Sequence, residues 1–270
     1  MSTFWIFGGL AAVLYFWVAF RLGKRLSLGA AAAEGKRLPI AVGMGAITLH
    51  GLLIYMTSFT SGGLNFSFFN ALSLLAWFIA ALLLVAAMYR PVENLGIALL
   101  PLAGVAILLS MFFPSERVIV QEERLGLELH ILISVLAFSL LNIAAIQAVL
   151  LAIQNRQLRN KRPGGFIRGL PPLEVMERLL FQIIGLGFML ETLSLITGFA
   201  FLEDMFAQHM VHKTVFAVTA WLVFATLLIG RLRFGWRGRT AIRWTLGGFA
   251  ALLLAYLGSK MVLELVLSSP

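Results

Sequence analysis

Long apolar runs separated by short polar stretches recur along the whole chain. Eight of them can be marked, at about 3–20, 38–57, 69–89, 95–113, 127–154, 179–202, 212–230 and 241–267. Each approaches or exceeds the roughly 18–20 residues that a helix needs to cross a bilayer. Only helices and closed barrels satisfy every backbone group in lipid, and runs this long and continuous read as helices. The pattern predicts an all-α, polytopic membrane bundle of about eight transmembrane helices. Residues 1–270 then form a single integral-membrane domain, since no loop is long enough for a soluble one.

The polar stretches carry the next signal. "KRPGGFIRGLPPLEVMER" (161–178) has glycines and prolines that break any helix between the fifth and sixth runs. "PSERVIVQEERLG" (114–126) mixes charges with a short β-branched run and reads as a strand-like or interfacial loop. No internal repeat or low-complexity segment is evident. The first run, in "MSTFWIFGGLAAVLYFWVAFRLGKR", has its positive charge after it rather than before, which suits an uncleaved first helix.

Charge then orients the bundle. Of 21 Lys and Arg, 17 fall in four alternate connections: 21–37, Arg90, 155–178 and 231–243. The remaining four are Arg117, Arg124, Lys213 and Lys260. Basic residues stay cytoplasmic, so both termini are expected on the outer side. The net charge of +9 is accounted for by this asymmetry and by anionic lipid, without a nucleic-acid partner. Composition agrees, with 60% apolar and 12% charged residues and a mean hydropathy of +0.95. Cysteine is absent, which excludes disulfides, thiolate metal sites and covalent haem attachment through this chain's own thiols.

Candidate chemistry rests on four histidines and one acid. In the predicted orientation all four histidines lie toward the outer side: His50 within the second run, His130 near the start of the fifth, His209 after the sixth, and His212 opening the seventh. Imidazole serves transition metals and haem iron, while a single helical histidine is often held by a hydrogen bond instead. His209 and His212 are three residues apart and would share a helix face. They could hold one metal ion together, but not the two opposed axial positions of a haem. The outer acids show no HExxH-like pattern. Glu191, inside the sixth run, must be paired, hydrogen-bonded or protonated in lipid, and is a candidate for a proton or cation path.

The carboxy-terminal half adds a resemblance. "MERLLFQIIGLGFMLETLSLITGFAF", "HKTVFAVTAWLVFATLL", "RFGWRGR" and "LGGFAALLLAYLGS" resemble the cytochrome c assembly superfamily, the haem-handling membrane proteins of the CcsA, ResC and CcmC types. The closer likeness is to its short HemX-like branch. The similarity covers about residues 40–267 and is most specific over 172–260.

The resemblance implies a bacterial inner-membrane protein that binds haem b non-covalently at the outer side. His130 matches the family's first outer histidine. The family's tryptophan-rich outer motif, of the form WGxxWxWDPKE, is replaced here by "EDMFAQHMVHKTV", and no second outer histidine follows the last run. Full haem ligase activity is therefore not expected, while haem binding through His130, His212, His50 or His209 is. The implied role is accessory or regulatory, in cytochrome c maturation or haem homeostasis, with maturation or haem-pathway proteins as partners. The alternatives are a transporter using Glu191 and a cofactor-free scaffold.

Overall fold

The computed structural model describes residues 2–28, 35–60, 63–65, 67–114, 118–119, 125–161, 165–201 and 211–258. Among them are eight α-helices: α1 (Ser2–Leu28), α2 (Arg37–Ser58), α3 (Phe68–Tyr89), α4 (Gly96–Phe112), α5 (Leu125–Arg159), α6 (Leu173–Phe201), α7 (Val211–Phe234) and α8 (Arg239–Leu253). Seven of these, α1 to α7, carry stretches long and apolar enough to cross a membrane. The eighth, predicted over 241–267, is described as far as Gly258, and Leu254–Gly258 form a π-turn. The chain is thus a multi-pass membrane protein built as an α-helical bundle.

Helix ends run past the apolar runs where basic residues follow. Thus α1 continues through Arg21, Lys24 and Arg25, and α5 through Arg156 to Arg159. Long cationic side chains keep their stems on the apolar surface while their heads reach water, so the helix need not stop at the membrane edge.

The contacts divide the chain into two compact units, residues 1–122 with 160–171, and 123–159 with 172–270. In the first, each helix packs on its sequence neighbours and α4 closes back on α1. Here the helices come together through small residues. A side chain at Gly96 would meet Leu22 at 2.9 Å, and one at Gly104 would meet Phe16 at 3.0 Å. A 3-10 turn over Gly165–Gly169 lies against α1, where Gly169 sits on Leu26. The predicted strand-like run is found as β3 (Val118–Ile119). It pairs antiparallel with β2 (Gly63–Asn65), which pairs with β1 (Phe59–Thr60).

In the second unit, α5 packs on α6, α6 on α7, α7 on α8, and α8 on α5. The α7–α8 elbow turns through Gly235 and Gly238, whose φ values of 65° and 57° suit glycine alone without strain. The Gly238 N–H donates to Glu177 Oε1 at 2.7 Å, giving a helix-start donor an acceptor. Arg231 closes the elbow, donating to the Trp236 carbonyl at 3.1 Å with its guanidinium 4.6 Å over the Phe181 ring.

Candidate functional site

The α5–α6 seam holds the densest set of chemistry-bearing side chains. On α6 the buried positions Leu180, Ile184, Gly187, Glu191, Ser194 and Gly198 recur at three- and four-residue steps, which keeps them on one face. The contacts with α5 run antiparallel: Thr197 and Ser194 meet His130, Ser194 meets Ser134, and Gly187 meets Leu141. Further along, Gln147 Nε2 donates to the Met176 carbonyl at 2.9 Å. Seven residues along α5, from Ser134 to Leu141, match seven back along α6, from Ser194 to Gly187. The matched advance of the two helices between these contacts therefore sets the site.

His130 sits half-buried in the second turn of α5. Its Nδ1 lies 3.0 Å from the Ser194 carbonyl and 3.1 Å from Thr197 Oγ1. A carbonyl only accepts, so Nδ1 carries the proton. The Thr197 hydroxyl donates to the carbonyls of Leu193 (2.8 Å) and Ser194 (3.0 Å), so its oxygen also accepts from Nδ1. The consequence falls on the far side of the ring. Nε2 keeps its lone pair, and it has no hydrogen-bond partner among the described residues. An imidazole with Nδ1–H on a backbone carbonyl has the donor chemistry to bind a metal ion through Nε2.

Beneath the histidine the polar contacts continue inward. The Ser134 hydroxyl donates to the His130 carbonyl at 2.6 Å, so the 2.6 Å contact between Ser134 and Ser194 has Ser194 as donor. Tyr256, carried by the π-turn after α8, stands beside Ser134, Ser194 and Glu191, and its ring stacks on Phe138 at 4.6 Å. Glu191 is 1% exposed, and its Oε2 has no hydrogen-bond partner among the described residues. Phe138 and Trp221, which could have walled a planar cofactor, are engaged in packing. Phe138 is fully buried, and Trp221 stacks on Phe188 and donates to Thr192 Oγ1 at 2.9 Å.

His50 is different. It is fully buried in the first unit, with Ser73 Oγ 2.9 Å from Nε2 and the Tyr15 hydroxyl 3.3 Å from Nδ1. Both ring nitrogens are occupied, and the residue ties α1, α2 and α3 together. His212 lies in the first turn of α7; its side chain and the whole of His209 fall outside the described residues. No group of three or more His, Asp or Glu suited to a metal ion occurs among the described residues. The structure thus groups His130 and Glu191 in one unit with Ser134, Ser194 and Tyr256, and keeps His50 in another unit. Sequence reasoning missed these three and Thr197. The only available signal was spacing, with Ser134 four residues from His130 and Ser194 and Thr197 three apart.

The family model described as cytochrome C assembly protein matches residues 40–267. This chain belongs to the cytochrome c assembly protein family. "Inner membrane protein YpjD" of Escherichia coli K12 is 32% identical over 237 residues, spanning 86% of this chain and 88% of that protein. An uncharacterized 28.8 kDa protein of Azospirillum brasilense is 36% identical over 143 residues, 52% of this chain and 53% of its own length. "Cytochrome c biogenesis protein CcsA" of Gloeothece citriformis is 28% identical over 113 residues, 41% of this chain and 34% of that protein. No solved structure matches this chain.

Proposed function

We propose that this chain is a haem-binding protein of the bacterial inner membrane, accessory to cytochrome c maturation or haem homeostasis and without the full haem ligase step. The observation that carries the reading is His130: Nδ1–H held by the Ser194 carbonyl and Thr197, and Nε2 without a hydrogen-bond partner among the described residues. The donor set suits haem b, since an imidazole is present and no cysteine is available for a covalent link. His130 would hold the haem iron through Nε2. His212, on a different helix of the same unit, is the proposed second ligand. His209 stands three residues before it in the sequence, and two ligands that close cannot oppose each other across one ring. We assign His50 a structural role because hydroxyls hold both its nitrogens. Haem bound at this site would place a redox-active iron at the outer side for exchange with maturation or haem-pathway proteins. Family membership and the inner-membrane location named for the YpjD relative support the setting.

The test is a visible spectrum of detergent-purified protein from haem-replete cells, in which a Soret band is expected. Colourless protein that also fails to take up added haem overturns the reading and leaves a cofactor-free scaffold.

One observation favours a second reading. The buried, unpartnered Oε2 of Glu191 beside Tyr256 is the kind of intramembrane acid that marks proton or ion paths in transporters. Glu191→Gln separates the two readings, because the amide keeps the shape and most of the acceptor capacity but not the exchangeable acid. On the haem reading the variant expresses normally, keeps its Soret band and changes thermal stability by less than about 1 kcal/mol. A liposome flux that is present in the wild type and abolished in Glu191→Gln would transfer the assignment to transport.

A further inference from the structure

A groove of about 510 Å³ runs along the first unit between α1 and α4. Its wall on α1 is a single stripe at helical spacing, from Phe16 through Phe20 and Gly23 to Ser27. The α4 wall is Ile97 and Pro101. The hollow has local causes. Gly23 contributes no side chain, and a Cβ built there would have only Ile97 within reach, at 3.9 Å. Pro101 lies inside α4 and brings no N–H, so the Ile97 carbonyl lacks its ordinary helical donor.

The groove is apolar along most of its length and polar at one end. Phe16 and Phe20 are exposed, as lipid-facing side chains are. At the other end stand Lys24 and Ser27. The Ser27 hydroxyl donates to the Lys24 carbonyl at 2.8 Å, which leaves its oxygen as an acceptor. The Lys24 side chain is exposed and makes no ion pair among the described residues. Arg21, whose guanidinium lies 5.4 Å from the Trp17 ring, adds a second cation one turn away. No acid occurs in α1. By the positive-inside rule this is the cytoplasmic end.

Length and charge together point to the occupant. From Phe16 to Gly23 the apolar wall rises about 10 Å, which lies within one leaflet's share, about 15 Å, of the hydrocarbon core. A groove confined to one leaflet, apolar in the acyl region and cationic at headgroup level, fits a single phospholipid of the cytoplasmic leaflet. We propose that it is a binding site for one acidic phospholipid of the phosphatidylglycerol class. Its acyl chain lies on Phe16, Phe20, Gly23 and Pro101, and its phosphate pairs with Lys24. A headgroup hydroxyl can reach the open acceptors, Ser27 Oγ and the Ile97 carbonyl. A zwitterionic headgroup would bring its own ammonium against Lys24 and lose that match.

The test is native mass spectrometry of the full-length protein in mild detergent, titrated with phosphatidylglycerol and phosphatidylethanolamine of equal chain length. The wild type is expected to retain one phosphatidylglycerol in preference. Lys24→Gln is expected to weaken that retention about five-fold, the effect of one cation on an acidic headgroup, and to leave phosphatidylethanolamine unchanged. Lys24→Arg should restore it. Gly23→Leu fills the hollow and should reduce retention of both lipids. Equal retention of the two lipids by the wild type overturns the proposal without reference to any variant. So does an undiminished preference in Lys24→Gln.

Discussion

Purified His130→Ala protein is expected to lose most of its haem, with the Soret band falling toward the baseline while helix content holds. The argument has two parts. An axial histidine contributes a bond to iron that alanine cannot make, and a b-type haem has no covalent tether to compensate. The fold loses less. His130 is half-buried, and its contacts to Ser194 and Thr197 together are worth about 1 kcal/mol to stability. Imidazole added to His130→Ala should restore part of the absorbance, which a purely structural defect would not allow. Thr197→Val gives a graded version. It removes one of the two acceptors at Nδ1 and leaves the Ser194 carbonyl, so haem affinity should fall by about 10-fold, the lower range for loss of an outer-shell partner. A Soret band unchanged in His130→Ala would show that the iron is held elsewhere, and His212 would become the primary ligand to test.

The sequence was most informative where a physical effect acts locally. Apolar length placed the helices because lipid penalises every unsatisfied backbone group, and the alternation of Arg and Lys between loops followed from the same barrier. The β-branched Val118–Ile119 pair was legible as strand for a similar reason. The π-turn that brings Tyr256 to Glu191 had no such signature. Residue type and the family likeness both pointed to His130. Its state was not legible, because the carbonyl that fixes the tautomer belongs to Ser194, 64 residues away on another helix. His50 shows the same limit in the opposite direction. An intramembrane histidine suggests a ligand, yet Tyr15 and Ser73, 35 and 23 residues away, occupy its two nitrogens. The histidines resemble one another in sequence and differ in what faces them.

The α5–α6 register is what brings Ser194 to His130, and Gly187 is a point of close approach within it. A Cβ at Gly187 would lie 2.8 Å from both Cγ and Cδ2 of Leu141 and 3.5 Å from Leu140 Cβ. Small residues let membrane helices approach closely, and the packing gained there replaces the hydrophobic drive that is absent in lipid. Gly187→Val adds two methyl groups beyond that Cβ in a stiff rotamer, so the helices must separate or slide. Overpacking of this kind costs about 1–3 kcal/mol, read as a lower thermal midpoint in detergent. Because Ser134 and Ser194 lie seven residues from the collision on either helix, a slide also breaks their 2.6 Å contact and moves the Ser194 carbonyl from His130. Haem retention should therefore fall along with stability. Leu141→Ala opens space directly opposite Gly187. In the double variant it should recover part of both losses, a coupling expected only between residues in contact. If Gly187→Val leaves the midpoint unchanged, the close α5–α6 approach is wrong, and with it the geometry that fixes the His130 tautomer.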